Sequence, residues 1–401
     1  MYMRMPPGLP RFDSKGNLLV CKLLKTLYGL KQSGREFNII LVEFLLSIHF
    51  ERSVIDSCLF TKTEKGVTTM LAVWVDDIVV ACSTMAGRNE FSKLLSERFP
   101  IEDKGDLDWV LKMKINYHRT QSCISISQNL YVEDLLKRYA PFLKGISRTY
   151  DSPMADAPLL TADMCPEKGS VEMEQMKDKQ EFYMILVGSL LWLSACTRPD
   201  IAFSTSVVAR YVSNPGMEHY NALIRILAYL QNTKNYGLKY NMKESELGLQ
   251  VYSDASWCVK FSTSGALYYF DGNLFAWFSR LQHSVCHSTA EAEYICASAA
   301  VRDGIFHRDV AYDMGVLVPG ATQLLLDSKS AIDMCWDPVA FKKTKHILRD
   351  AHFLRDVIAR CLFKPLHVSS ENELADIMSK AVTRPIFLKL RPSLVLPLDD
   401  V

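Results

Sequence analysis

The chain is 401 residues long, more than one ordinary hydrophobic core accommodates, so two or three domains are expected. Nearly half of the residues, 49%, are hydrophobic and can fill those cores, whereas 46 Lys and Arg against 45 Asp and Glu leave almost no net charge. A uniformly basic nucleic-acid binder is therefore excluded, and any basic surface must be local. The 11 cysteines, spread from Cys21 to Cys361, include no C-x-x-C pair, which argues against a zinc ribbon or a disulfide framework and fits a reducing compartment. The longest apolar run, ILVGSLLWLSA at 185–195, is too short to span a bilayer, and the opening MYMRMPPGLP lacks the apolar segment of a secretion signal. An intracellular protein, cytoplasmic or nuclear, neither secreted nor in a membrane, is expected.

Residues 1–16 are rich in Pro and Gly and read as an extended lead-in. The segment 18–50 then gives a short strand, a bend at Tyr28-Gly29 and a helix whose apolar residues Phe37, Ile40, Leu41, Phe44 and Leu45 recur at helical spacing. The bend sets Gly29, Lys31, Gln32 and Arg35 on one polar shoulder. A strand, DSCLFTK, and a turn at Lys65-Gly66 lead into MLAVWVDDIVVAC at 70–82, read as a buried β-hairpin with Asp76 and Asp77 at its tip. Two unpaired charges are costly to bury unless a divalent cation sits against them; the alternative is a turn whose aspartates face water.

LYGLKQSGREFN, DSCLFTK and VWVDDIVV together resemble the palm of the reverse transcriptase of copia-type LTR retrotransposons. The resemblance implies that Asp76 and Asp77 hold catalytic metal ions and that Gln32, beside Lys31, lies near the incoming nucleotide. In that family a strand carrying a third carboxylate precedes a V-Y-M-x-x-P-P-G pattern, which here corresponds to Tyr2–Gly8. On that reading the first catalytic acid and the fingers are missing, and the isolated chain is expected not to polymerise.

A helix over 89–99, with Phe91, Leu94, Leu95 and Phe99 on its apolar face, a β-hairpin around Gly105, and a strand feeding a helix over 124–140 follow. The helix ends on Lys137 and Arg138 and resembles the family's primer-holding thumb, although charges favourable to the helix dipole explain that pair equally well. Residues 141–180 read as a linker. Residues 181–240 read as two helices broken at Thr197-Arg198-Pro199-Asp200 and a third after Pro215-Gly216; they resemble the family's connection and are assigned a packing role.

Beyond residue 245 strands alternate with helices. LGLQVYSDAS forms a strand ending at Asp254, and SGALYYF and NLFAWFS form a hairpin turned at Asp271-Gly272-Asn273. Ser288 opens a helix, with Glu291 completing a capping box three residues on, which leaves Glu293 on an inward face with Cys296, Ala297 and Ala300. TQLLLD ends a strand at Asp327, and ENELADIMSK carries Asp376 on a short helix. Only the fold can bring Asp254, Glu293, Asp327 and Asp376 together. Four carboxylates clustered on a sheet-plus-helix domain suit two-metal phosphodiester hydrolysis, with ions roughly 3.5 to 4 Å apart.

YSDAS, STSG, STAEAEY, DSKSAI, TKHI and LADIMSK resemble the copia-type ribonuclease H domain, and the resemblance assigns its Asp-Glu-Asp-Asp metal set to Asp254, Glu293, Asp327 and Asp376. It implies two Mg2+ or Mn2+ ions and an RNA–DNA hybrid or other nucleic acid as partner, other Pol chains being further candidates. His346, in a segment with Lys342, Lys343, Lys345 and Arg349, could touch the substrate backbone; a structural histidine on a solvated basic face is the alternative.

The expected fold is an α+β palm remnant, its hairpin carrying the paired aspartates, followed by a helical connection and an α/β ribonuclease H-like domain with a mixed sheet. The expected divisions are 1–120 (palm, lacking fingers and first catalytic Asp), 121–180 (thumb-like segment and linker), 181–245 (connection), 246–390 (ribonuclease H-like) and 391–401 (tail). Metal-dependent ribonuclease H cleavage is the favoured function. A non-catalytic nucleic-acid-binding remnant and a reverse transcriptase completed by another chain are the competing readings.

Overall fold

The structure, a computed structural model, describes residues 2–24, 27, 29–144, 149–242, 247–258, 261–316, 318, 320–336 and 348–398. It divides into two compact units, Met1–Lys104 with Asp309–Val316, and Gly105–Arg308 with Leu317–Val401.

In the first unit, β1 (Tyr2–Arg4) pairs with β2 (Val20–Lys22), and α1 (Ser33–Ser47) precedes an antiparallel sheet of β3 (Glu51–Arg52), β4 (Leu59–Glu64), β5 (Val67–Trp74) and β6 (Asp77–Cys82), followed by α2 (Met85–Arg98). The β4–β5 hairpin closes through Lys65 and Gly66, both at positive φ (51° and 80°), the twist that a two-residue hairpin loop requires. Along β5 the inward residues Thr69, Leu71 and Val73 alternate with less buried ones, the signature of a sheet covered on one face. That face packs with Leu41 and Leu45 of α1, Phe60, and Phe91 and Leu95 of α2. Ile40, expected on the buried stripe of α1, is exposed; Val42 and Ile48 pack against the core in its place. The hairpin carrying Asp76 and Asp77 is likewise not buried at its tip. Trp74, Val75, Asp76 and Asp77 all face solvent, because the strands outrun the helices that cover them.

The second unit begins with β7 (Trp109–Val110), β8 (Met113–His118), β9 (Cys123–Ser127), α3 (Asn129–Arg138) and α4 (Ala140–Leu143). The β7–β8 hairpin turns at Leu111 and Lys112 (φ 47° and 62°) rather than at Gly105, a turn whose residue types carry no turn signal. Helix α5 (Val171–Cys196) starts within the stretch read as a linker: the Ser170 hydroxyl accepts a hydrogen bond from the Met173 N–H, and the charged first turns hide the helical period. α6 (Ala202–Ala209), α7 (Met217–Asn232) and β10 (Tyr236–Asn241) follow, and β10 pairs with β9. This pairing draws residues 109–127 into the second unit's sheet, so the compact units part at Lys104, ahead of the expected division at 120.

The break between α5 and α6 falls at the expected Thr197-Arg198-Pro199-Asp200 and encloses an ion pair. Arg198 and Asp200, with side chains 1% and 0% exposed, are bridged by Nε–Oδ1 and Nη2–Oδ2 contacts of 2.9 and 2.7 Å. The guanidinium also donates to the carbonyl and hydroxyl of Thr233, and Tyr229 donates its hydroxyl to Asp200. These bonds satisfy both charges and lock α7 to the break. Around them Leu186, Leu190 and Leu193 of α5 pack with Leu223, Ile226 and Leu230 of α7.

The third sheet contains β11 (Leu249–Ser256), β12 (Thr263–Phe270), β13 (Asn273–Leu281), and, after α8 (Thr289–Asp313), β14 (Thr322–Leu326). After α9 (Lys329–Trp336) and α10 (Leu348–Ala359) comes β15 (Phe363–His367), and the chain ends through α11 (Asp376–Ser379), α12 (Arg384–Leu390) and β16 (Leu396–Pro397), which pairs with β10. The order β13-β12-β11-β14-β15 is mixed: the first three strands are antiparallel, and β11, β14 and β15 are parallel. On one face Ala266 and Tyr268 of β12 pack with Tyr294, Ala297 and Val301 of α8 and with Leu354 of α10. On the other, Leu267 and Tyr269 join the helical core formed by α5 and α7. A strand covered on both faces has no polar side to display, which is why SGALYYF lacks alternation. Strand β11 runs two residues past Asp254, where Ser256 still pairs with Thr263. No helix among the described residues is long and apolar enough to cross a membrane.

Candidate metal centre

One end of the mixed sheet gathers three carboxylates. Tyr252 of β11 is level with Leu325 of the parallel β14, so Asp254 and Asp327, each two residues further on, emerge at the same end and on the same face. Asp376 arrives on α11, whose backbone lies against β12 at Gly265, the residue paired with Asp254. A Cβ at position 265 would stand 2.5 Å from the Met378 Cβ and 2.9 Å from the Ser379 nitrogen, so only glycine admits α11 this closely. As a result, one carboxylate oxygen from each of Asp254, Asp327 and Asp376 lies within 4.8 Å of the others.

Several groups hold these oxygens. Asp254 is 3% exposed and accepts a short hydrogen bond from the Ser379 hydroxyl. Asp327 accepts from the Ser370 hydroxyl at 3.0 Å. The Lys380 ammonium stands 2.7 Å from Asp376 Oδ1 and 3.6 Å from Asp254 Oδ2. Burial, with the Asp254 charge adding to it and Lys380 opposing it, lifts the Asp376 carboxyl to about 6.

Glu293 reaches this region from α8 but is not one of the three converging ligands. It is 8% exposed, and its Oε2 has no hydrogen-bond partner. Burial raises its carboxyl to about 7, against a hydrogen bond from Ser328 and with the charges of Asp327 and Asp254 adding to the rise. Glu291 is engaged at the helix start, as its position suggested: its N–H donates to the Ser288 hydroxyl, while its carboxylate accepts from the His287 N–H rather than from the cap residue itself.

A fifth acid was not legible in the sequence. Glu373 is fully buried; its Oε1 accepts from the Ala375 N–H at 2.9 Å and its Oε2 has no partner. Burial first, with the charges of Asp254, Asp327 and Asp376 adding to it and the Ala375 N–H opposing it, raises its carboxyl well above its ordinary value. Flanked by Glu371 and Asn372, it reads as one more residue of a polar loop. Lys380 was also missed, although its position four residues after Asp376 on a helical turn is a usable signal.

The other sequence-derived residues lie elsewhere. Asp76 and Asp77 are exposed at the β5–β6 turn of the first unit, and neither belongs to a group of three potential ligands among the described residues. Gln32 caps α1, and Lys31 precedes it, both exposed. Arg349 is exposed in the first turn of α10, while Lys345 and His346 lie outside the described residues.

Hard carboxylate oxygens from three elements, with a partnerless buried carboxylate oxygen nearby, suit Mg2+ or Mn2+. Oxygens sharing one such ion lie at most ~4.2 Å apart, so the present span needs only a small closing rotation.

The raised carboxyls give the metal-free protein a definite pH dependence. Glu293 and Asp376 bind protons more tightly when folded than at their unfolded values of 4.5 and 3.8. The folded chain therefore holds more protons between those values and about 7 and about 6, and stability falls as pH rises through this window. In urea unfolding without divalent ions, the full chain is expected to lose stability relative to Glu293→Gln between pH 4.5 and pH 7.5, by roughly 1 to 3 kcal/mol. A constant difference would contradict this.

Residues 1–143 match the family model described as reverse transcriptase (RNA-dependent DNA polymerase). The retrovirus-related Pol polyprotein from transposon RE1 of Arabidopsis thaliana is 32% identical over 391 residues, which is 96% of this chain and 25% of that one. That from transposon TNT 1-94 of Nicotiana tabacum is 32% identical over 396 residues, 96% of this chain and 29% of that one. The chain thus spans about a quarter of the length of these relatives. Among solved structures, a foamy viral protease-reverse transcriptase in complex with an RNA/DNA hybrid is similar over 89% of this chain and 40% of its own, at 13% identity and a TM-score of 0.45. RNase H1 from the halophilic archaeon Halobacterium salinarum is similar over 33% of this chain and 93% of its own, at 18% identity and a TM-score of 0.24.

The sequence relatives put the chain in the class of retroelement proteins that contain a reverse transcriptase domain. More narrowly, it belongs to the retrovirus-related Pol polyproteins of transposons.

Proposed function

We propose that the second unit is the ribonuclease H of a copia-type Pol polyprotein and hydrolyses the RNA strand of RNA–DNA hybrids. The observation that carries this reading is the convergence of Asp254, Asp327 and Asp376 at one end of a mixed sheet. These three residues would hold the divalent ions, with Glu293 as a fourth candidate ligand. When bound, two such ions supply Lewis acidity at the attacking water and at the leaving oxygen of the scissile phosphodiester. The protein contributes a rigid acidic frame, fixed by the β11–β14 register and by the close approach of α11 at Gly265. Glu293, poised near neutrality and 8% exposed, is suited to hold or release a proton at the edge of that frame.

The remaining assignments rest on sequence resemblance. Asp76 and Asp77 are taken as metal ligands of the polymerase ancestry, with Gln32 and Lys31 on the nucleotide side. Lys345, His346 and Arg349 are taken as contacts to the hybrid backbone, and other Pol chains as protein partners. The functional divisions are those at 120, 180, 245 and 390.

The test is cleavage of a labelled RNA–DNA hybrid by the full chain in Mg2+ or Mn2+. Cleavage of the RNA strand that stops on chelation is expected. Hybrid binding without cleavage in either ion would leave the non-catalytic remnant as the better reading.

A further inference from the structure

We propose that Lys380 is the resident cation of the acidic site and the group that an entering divalent ion must displace. This rests on the reading of Asp254, Asp327 and Asp376 as metal ligands. Those three carboxylates converge within 4.8 Å, with Glu293 facing them from α8, an arrangement of like charges that repel one another wherever they are ionised. Among the described residues one cation stands against them. The Lys380 ammonium bridges Asp376 at 2.7 Å and Asp254 at 3.6 Å, the second carboxylate being 3% exposed.

The geometry of Lys380 suits an exchangeable ion better than a fixed strut. Its side chain is 40% exposed while its partners are largely buried, so it closes the cluster from the solvent side. It leaves α11 immediately after Ser379, whose hydroxyl already holds Asp254; the frame therefore keeps a neutral bond when the ammonium leaves. A four-carbon stem lets the ammonium swing out without moving the helix. Ammonium and divalent ion claim the same two carboxylates, Asp254 and Asp376, so they compete, and the strength of metal binding is set partly by what Lys380 gives up.

Titration calorimetry of the full chain with MnCl2 at pH 8, with no nucleic acid present, tests this. Lys380→Met, which keeps length and removes charge, is expected to bind Mn2+ about tenfold more tightly, because nothing has to be displaced and one repelling charge is gone. The melting temperature of Lys380→Met without metal is expected to fall below that of the unsubstituted chain, and its rise on adding Mn2+ to be larger. Lys380→Arg, which keeps the charge, is expected to stay close to the unsubstituted affinity; should Lys380→Met fail to fold, Lys380→Gln carries the same expectation. Unchanged or weaker Mn2+ binding in the neutral variant, with Asp254→Asn abolishing binding, would overturn the role of Lys380 and leave the metal site standing. No Mn2+ binding by the unsubstituted chain would overturn both.

Discussion

Asp254→Asn is expected to lower the proposed metal-dependent hybrid cleavage by about a thousandfold or more, the effect of neutralising a central ligand if the site holds two ions. The substitution keeps the shape of the side chain and removes half of what makes it useful. Asp254 sits on the middle strand of the mixed sheet and is 3% exposed. Its neighbours also lose: the Ser379 hydroxyl and the Lys380 ammonium now face a neutral amide, and the amide N–H2 competes with the ion for space. Asp178→Asn, an exposed change on α5, removes the same charge far from any cluster and is expected to retain full cleavage. Circular dichroism and melting checks separate loss of chemistry from loss of fold. Cleavage by Asp254→Asn within about tenfold of the unsubstituted chain would remove this residue from the reaction.

Arg198→Met is the substitution with the largest expected effect on stability, a loss of about 3 to 5 kcal/mol in urea unfolding of the full chain. The guanidinium is enclosed between α5, α6 and α7, and every one of its contacts is internal: Asp200, the Thr233 carbonyl and the Thr233 hydroxyl. Removing it strands Asp200, whose side chain is 0% exposed, with the neutral Tyr229 hydroxyl as its remaining side-chain donor among the described residues. Deleting the acid as well should relieve most of that cost. The double variant Arg198→Met, Asp200→Leu is expected to recover more than half of the loss, short of full recovery because the Tyr229 hydroxyl then loses its acceptor and Thr233 its bonds from the guanidinium. A single variant as stable as the unsubstituted chain would show that the pair contributes nothing to the helical core.

The residues that could be read from the sequence are those whose chemistry and local pattern agree. The hairpin at Asp271-Gly272, the break at Thr197–Asp200 and the acids at the ends of the β11 and β14 segments combine a short-range signal with a residue type that has few other uses there. Asp376 was legible for a different reason, an acid on a short amphipathic turn. The choice of Glu293 over Glu291 rests on the family motif and on capping, and the structure supports the local half of the capping argument: Glu291 is occupied at the helix start. That Glu293 stands outside the group of three converging oxygens depends on the distance between α8 and the sheet, which periodicity does not encode.

What could not be read is tertiary. Glu373 and Lys380 acquire their environments from β11 and β14, more than a hundred and about fifty residues away in sequence respectively. Gly265 looks like an ordinary strand glycine until α11 is laid against it. Ile40 shares the helical period of its buried neighbours yet faces out, and the first turns of α5 are polar all round and so resemble a linker. Of the two readings of Asp76 and Asp77, the water-facing turn is the one the structure has, because apolar strand residues report that some face is covered, not how far the cover extends.

Anomalous X-ray diffraction from crystals of the full chain soaked in MnCl2 tests directly whether Asp254, Asp327 and Asp376 form a divalent-metal site. A manganese peak within bonding distance of all three carboxylates is predicted, with the Lys380 ammonium withdrawn from Asp376. Saturating Mn2+ with no peak at these carboxylates, and Lys380 still seated on Asp376, would contradict it.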